Sequence, residues 1–136
     1  MRPIKSGLTD LTAILVQLEP VRRPGEYVYA TLPYSNVIPR QFTCMEMIEE
    51  EGITAIVEAP IAQKYGLDSR ERIAWITLTV PSSLFSVGLT AVFSNALAEA
   101  QIPCNVVAGF HHDHLFVPVK ESSRALEVLH QLQAEG

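Results

Sequence analysis

The run ITLTVPSSLFSVGLTAVFSNALAEAQIPCNVVAGFHHDHLFVPV, residues 76–119, decides the fold. It begins inside the stretch Ile73–Val80, which is almost entirely apolar or β-branched, as expected of a central strand covered on at least one face. Pro81-Ser82-Ser83 breaks that strand. Leu89, Val92, Phe93, Ala96, Leu97 and Ala100 then recur three and four apart, marking one face of an amphipathic helix. Cys104 to Phe110 reads as a second strand, His111-His112-Asp113 as a polar tip, and Leu115 to Val119 as the returning strand. Ala125, Leu126, Leu129 and Leu132 line a terminal helix that Ser122 or Ser123 caps. Strand, helix, hairpin, helix is the ferredoxin-like split βαβ layout without its last strand: an antiparallel sheet with helices on one face.

Outward from this run, the N-terminal half repeats the theme less cleanly. Leu8, Leu11, Ile14, Leu15 and Leu18 have helical spacing, with Ser6 or Thr9 as cap and Pro20 as stop. Arg22-Arg23-Pro24-Gly25 reads as a turn, and Glu26 to Leu32 alternates as a strand. Pro33 to Pro39 is loop material. Phe42 to Ile48 is read as a strand because Glu50-Glu51-Gly52 suits a hairpin turn into the β-branched run Ile53–Val57. Pro60 sits where a helix begins and Gly66 where it stops. A βαββαβ unit needs its fourth strand to cover an edge. Each half lacks one strand, so the halves are expected to lend each other strands. The expectation is α+β: two ferredoxin-like units in tandem, 1–68 and 69–136, with shared or swapped edge strands.

Composition narrows the function classes. The 136 residues are 48% hydrophobic and 18% charged, apolar enough for a core without disulfides or metals. The net charge of −5, with no run of Lys or Arg, argues against nucleic-acid binding, which needs clustered positive charge. No apolar run approaches the roughly 20 residues of a membrane helix. Asp10, Thr12, Gln17 and Glu19 interrupt any signal-peptide core. Cys44 and Cys104 sit in apolar runs and read as reduced core thiols. A soluble, cytoplasmic protein is expected.

Ser82-Ser83, Val87-Gly88-Leu89-Thr90, Asn105-Val106 and His112-Asp113-His114 through Phe116-Val117, with EEEGITAIV at 49–57, carry a resemblance. In these residues the chain resembles the small bacterial tandem ACT-domain proteins, and is also similar to the ACT modules of arginine sensors. The resemblance covers the chain from Leu8 to Leu132 and departs at Pro81, Phe85 and Ile102-Pro103. It implies a regulatory protein without catalytic activity that binds a small effector, usually an amino acid, where the first strand meets the first helix. It also implies pairing of units into a homodimer or larger homo-oligomer, and no cofactor.

The residues themselves suit such a ligand. The Pro81–Gly88 turn opens a helix, whose unpaired N–H groups and partial positive charge receive a carboxylate. Ser82, Ser83 and Ser86 add hydroxyls, Leu84, Val87 and Leu89 apolar contacts, and Gly88 a close backbone approach. The plainer reading of those serines is helix capping. Asn105, if buried in its apolar strand, must be hydrogen-bonded to a loop or to a ligand. The histidine tip is the tempting chemistry, whether metal or acid–base. Adjacent hairpin side chains point to opposite faces, so only His112 and His114 share one, and two ligands make a poor metal site. Asp113 instead suits a ligand ammonium. A structural module acting through sheet-edge pairing is the alternative function, and a metal protein using the histidine tip the third.

Overall fold

The computed structural model of the protein describes residues 11–35, 38–79 and 88–135. The elements are, in chain order, α1 (Leu11–Leu15), β1 (Glu19–Arg22), β2 (Tyr27–Leu32), β3 (Thr43–Glu49), β4 (Gly52–Glu58), α2 (Ala59–Lys64), β5 (Ile73–Thr79), α3 (Leu89–Glu99), β6 (Asn105–Ala108), β7 (Asp113–Pro118) and α4 (Ser122–Glu135). Packing gathers Pro24–Ile73 into one compact unit; the described residues up to Arg23 and from Ala74 onward form the other. The sequence-order division after residue 68 and this spatial grouping differ because of what residues 11–23 do.

Those residues complete the second unit. Glu19–Arg22 is a strand, where Pro20 reads as a helix stop and Arg22 as the start of a turn; the bend itself lies at Pro24-Gly25. It pairs antiparallel with β5, Glu19 opposite Thr79 and Arg22 opposite Ile76. Within the unit the strand order is β1-β5-β7-β6, so β1 fills the fourth-strand position that the C-terminal half lacks. Pro20 is tolerated because β1 lies at the edge, where a missing N–H leaves no ladder partner orphaned. Ile14 and Leu18 are fully buried in one core with Ile76, Leu78, Phe93, Leu97, Leu115, Val117 and Leu129. Burying each such side chain contributes about 1.5–3 kcal/mol, so the N-terminal segment is an energetic part of this unit.

The first unit has the order β3-β4-β2, with β2 antiparallel to β4 and Tyr27 opposite Ile73 at the start of β5. Gly52 closes the β3–β4 hairpin opposite Glu49, as the Glu-Glu-Gly turn suggested. Its core is smaller: Val28, Leu32, Ile38, Ala55, Val57, Ala59 and Ala62. The ion pair from Arg72 Nη1 to Glu26 Oε1, at 3.0 Å, ties the two ends of this unit together.

Candidate functional site

Strand parity builds the site. Thr77 Oγ1 lies 3.1 Å from His114 Nδ1, and the rings of Trp75 and Phe116 stack with centroids 6.1 Å apart. These two contacts run in opposite senses along β5 and β7, so the neighbours are antiparallel. The end of β5, where the chain departs towards Gly88, therefore lies beside the start of β7. Gly88 is the N-cap of α3, with φ 89°, and offers no side-chain cap to the first-turn N–H groups. Leu89 is 3% exposed and belongs to the core, so packing occupies its side chain.

Asp113 is 4% exposed. It alternates in phase with Leu115 and Val117, which face the α3 residues Phe93 and Leu97 in the core. The carboxylate is thus on the helix side of the sheet, at the end where β5 leaves for α3. His112 and His114 are out of phase with it and share the opposite face, as the parity of the hairpin required. Their ring centroids lie 6.5 Å apart. His112 Nδ1 is buried and has no hydrogen-bond partner among the described residues. Among the described residues no three His, Cys, Asp or Glu side chains are grouped to hold a metal ion. Asn105 is exposed, opposite Phe116 on the edge strand β6, so the buried-amide argument does not apply to it. Ser82, Ser83, Leu84, Ser86 and Val87 lie outside the described residues.

Composition and spacing missed what fixes His114. Trp75 Nε1–H donates to His114 Nδ1 at 3.0 Å, which makes that nitrogen an acceptor and puts the ring proton of the neutral imidazole on Nε2. The Arg23 guanidinium lies 4.7 Å over the Trp75 ring, a cation–π contact. Below them Gly109 donates its N–H to the His112 carbonyl at 2.8 Å, closing the hairpin. A Cβ on Gly109 would meet that oxygen at 2.8 Å and His114 Nε2 at 3.1 Å. The available signal was parity again: Trp75 and Thr77 are out of phase with the core residues Ala74, Ile76 and Leu78. Both thiols are half-buried, and burial pushes Cys44 up to about 12 and Cys104 to about 11.

Among the described residues no helix is long and apolar enough to cross a membrane. Two models of the ACT domain match the chain, over residues 6–74 and 69–131. A crystal structure of a Vibrio cholerae protein of unknown function, described as a possible transport protein, is 36% identical, with a TM-score of 0.80, covering 94% of this chain and 99% of that one. The regulatory subunit of aspartate kinase from Thermus thermophilus, in a ligand-free form, shares the fold at 12% identity and a TM-score of 0.60, over 83% of this chain and 95% of that one. Aspartate kinase from Clostridium acetobutylicum shares it at 11% identity and a TM-score of 0.59, over 88% of this chain and 34% of the enzyme. No curated protein matches the chain.

Proposed function

Because the chain belongs to the ACT-domain family and carries two such domains in tandem, domains typical of ligand-binding regulatory modules, we propose that it binds an amino-acid effector and catalyses nothing. The proposed site is the turn Ser82–Leu89 with Asp113; Asn105, three ladder positions from Asp113 and opposite Phe116, and His112, on the other face, are left out of it. One observation carries the reading: a buried carboxylate, Asp113, lies at the sheet end from which the chain departs to a helix whose N-cap is a glycine. Helix N–H groups favour a carboxylate, and Asp113 favours an ammonium. Together they are the two complementary halves of a zwitterion site. Serine hydroxyls at 82, 83 and 86 supply further donors.

A thermal-shift panel of the twenty amino acids tests this, since a ligand that binds the folded state raises its stability by mass action. One amino acid, or a few of related shape, is expected to raise the melting temperature, and Asp113→Asn to abolish the rise. No rise with any of them at millimolar concentration overturns the reading. The structural alternative has its own observation: edge strand β3 leaves Met47 58% and Ile48 78% exposed. Under that reading Ile48→Lys changes the oligomeric state and the amino-acid panel is silent.

A further inference from the structure

The ring nitrogen that fixes His114 is reached by two groups of different chemistry. Trp75 Nε1–H donates to His114 Nδ1 at 3.0 Å, and Thr77 Oγ1 lies 3.1 Å from the same atom. An indole N–H can only donate, whereas a hydroxyl donates or accepts. A neutral Nδ1 therefore holds the indole, and a protonated Nδ1 cannot. The proton that displaces the indole finds an acceptor already in reach, since the Thr77 oxygen can receive Nδ1–H where it stands.

The surroundings decide how a charged ring is received. His114 stands on the sheet face away from the core, with Val107 opposite it on β6. On β5 it meets Trp75 and Thr77, and Val21 of β1 is opposite Thr77. Its same-face neighbours along β7 are His112 and Phe116. The Arg23 guanidinium lies 4.7 Å over the Trp75 ring. Glu19 stands opposite Thr79, one same-face position beyond Thr77, and Asp113 is on the core side. Among the described residues, the charged and titratable groups that these elements turn towards the ring are Arg23 and His112, and neither is an anion. An imidazolium here meets the indole edge-on, with centroids 5.6 Å apart. The edge is the positive part of an aromatic quadrupole, so the charged ring repels the indole that the neutral ring held.

The imidazole also packs on the hairpin turn. A Cβ built on Gly109 would lie 3.1 Å from its Nε2, so the ring has no slack on that side. A change of ring position is thereby passed to the turn, whose Phe110 is 55% exposed.

We propose that Trp75, Thr77 and His114 form a proton-operated latch on the β6–β7 hairpin. With the imidazole neutral, the indole holds the ring and the turn is pinned; with Nδ1 protonated, the bond passes to Thr77 and the turn loosens. An ordinary imidazole changes charge near ~6.5, which puts the device within reach of mild acid. The latch lies on the face opposite Asp113 and does not rest on the effector reading.

An NMR titration of the full chain from pH 8 to pH 5 tests it, following the His114 ring, the Trp75 Nε1–H and the Gly109 and Phe110 amides. All four are expected to move with one midpoint, and the indole emission with them. Thr77→Val keeps the indole bond but removes the waiting acceptor, so the midpoint should fall by about one pH unit, a tenfold loss of proton affinity. His114→Gln should abolish the response and His112→Gln should leave it in place. If His114→Gln does not fold, Thr77→Val decides the matter alone. A His114 ring still neutral at pH 5, a Trp75 Nε1–H that stays put while the ring titrates, or an unmoved midpoint in Thr77→Val overturns the proposal.

Discussion

Trp75 and His114 are locked to each other across neighbouring strands: the indole N–H donates to Nδ1 at 3.0 Å, and the two rings meet edge-on with centroids 5.6 Å apart. Replacing His114 with Phe keeps a ring but removes the acceptor, leaving a half-buried indole N–H to find another. That change is expected to cost about 1–3 kcal/mol, the usual penalty for orphaning a buried donor. Trp75 is the only tryptophan, so urea unfolding followed by its emission reads both the stability and the altered polarity around the indole. Wild-type stability with unchanged emission would show that the bond does not matter.

The hairpin under this pair leaves no room at Gly109. Gly109→Ala drives a methyl into the His112 carbonyl and the His114 ring, and a loss of about 2–3 kcal/mol is expected, typical of overpacking. Gly66→Ala is the control. Gly66 has φ 74° but nothing within 4 Å of a built Cβ, so only the left-handed backbone is strained, at about 1–2 kcal/mol. Denaturant midpoints of the two variants should separate in that order.

Much of this fold was legible because strong periods are local. The α3 face and the α4 stripe stand out at helical spacing, and Gly66 and Gly52 mark real boundaries. β1 was hidden because Pro20 reads as a helix stop and Arg22 as the start of a turn; only its pairing with β5, a distant segment, makes it a strand. That a strand was missing from each half was readable, and which residues supplied it was not. At the site, parity placed His112 and His114 together. The same parity puts Asp113 in phase with Leu115 and Val117, so the charge in the HDH tip faces the core. The register shift between Thr43 and Met45 in β3 was invisible, since no composition announces a bulge.

Removing residues 1–23 should therefore damage the far half of the sequence. The truncation exposes the β5 edge and empties the places of Ile14 and Leu18; losing either to alanine alone would cost about 2–5 kcal/mol. Against a total stability of roughly 5–15 kcal/mol, the second unit should unfold or self-associate. Hydrogen exchange at Thr77 and Thr79 should rise to the unprotected level, and a peptide of residues 11–23 should restore protection. Retained protection in the truncated chain would refute the role given to β1.

The thiols set an alkaline limit. In the folded chain Cys44 holds its proton up to about 12, whereas an unfolded thiol releases it near ~8.5. Between those values the folded state binds more protons, so stability falls as pH rises through this window. Urea midpoints should be level from neutral pH to about 8 and then decline. Cys44→Ala should flatten part of that decline. At neutral pH iodoacetamide should label neither cysteine until the chain is unfolded, because the thiolate is the reacting form.

The pairing of Glu19 with Thr79 also constrains the order of synthesis. Chains emerge at roughly 5–20 residues per second, so β1 is outside the ribosome for seconds before any of β5 exists. The unit at residues 24–73 is made in that interval and has its own three strands to pair. β1 must wait without joining them. Its own residues suit the wait: Pro20 lacks a donor N–H, and Arg22 and Arg23 place like charges beside it, the features that keep a lone edge from pairing wrongly. The proline that disguised this strand as a helix stop also protects it until its partner arrives.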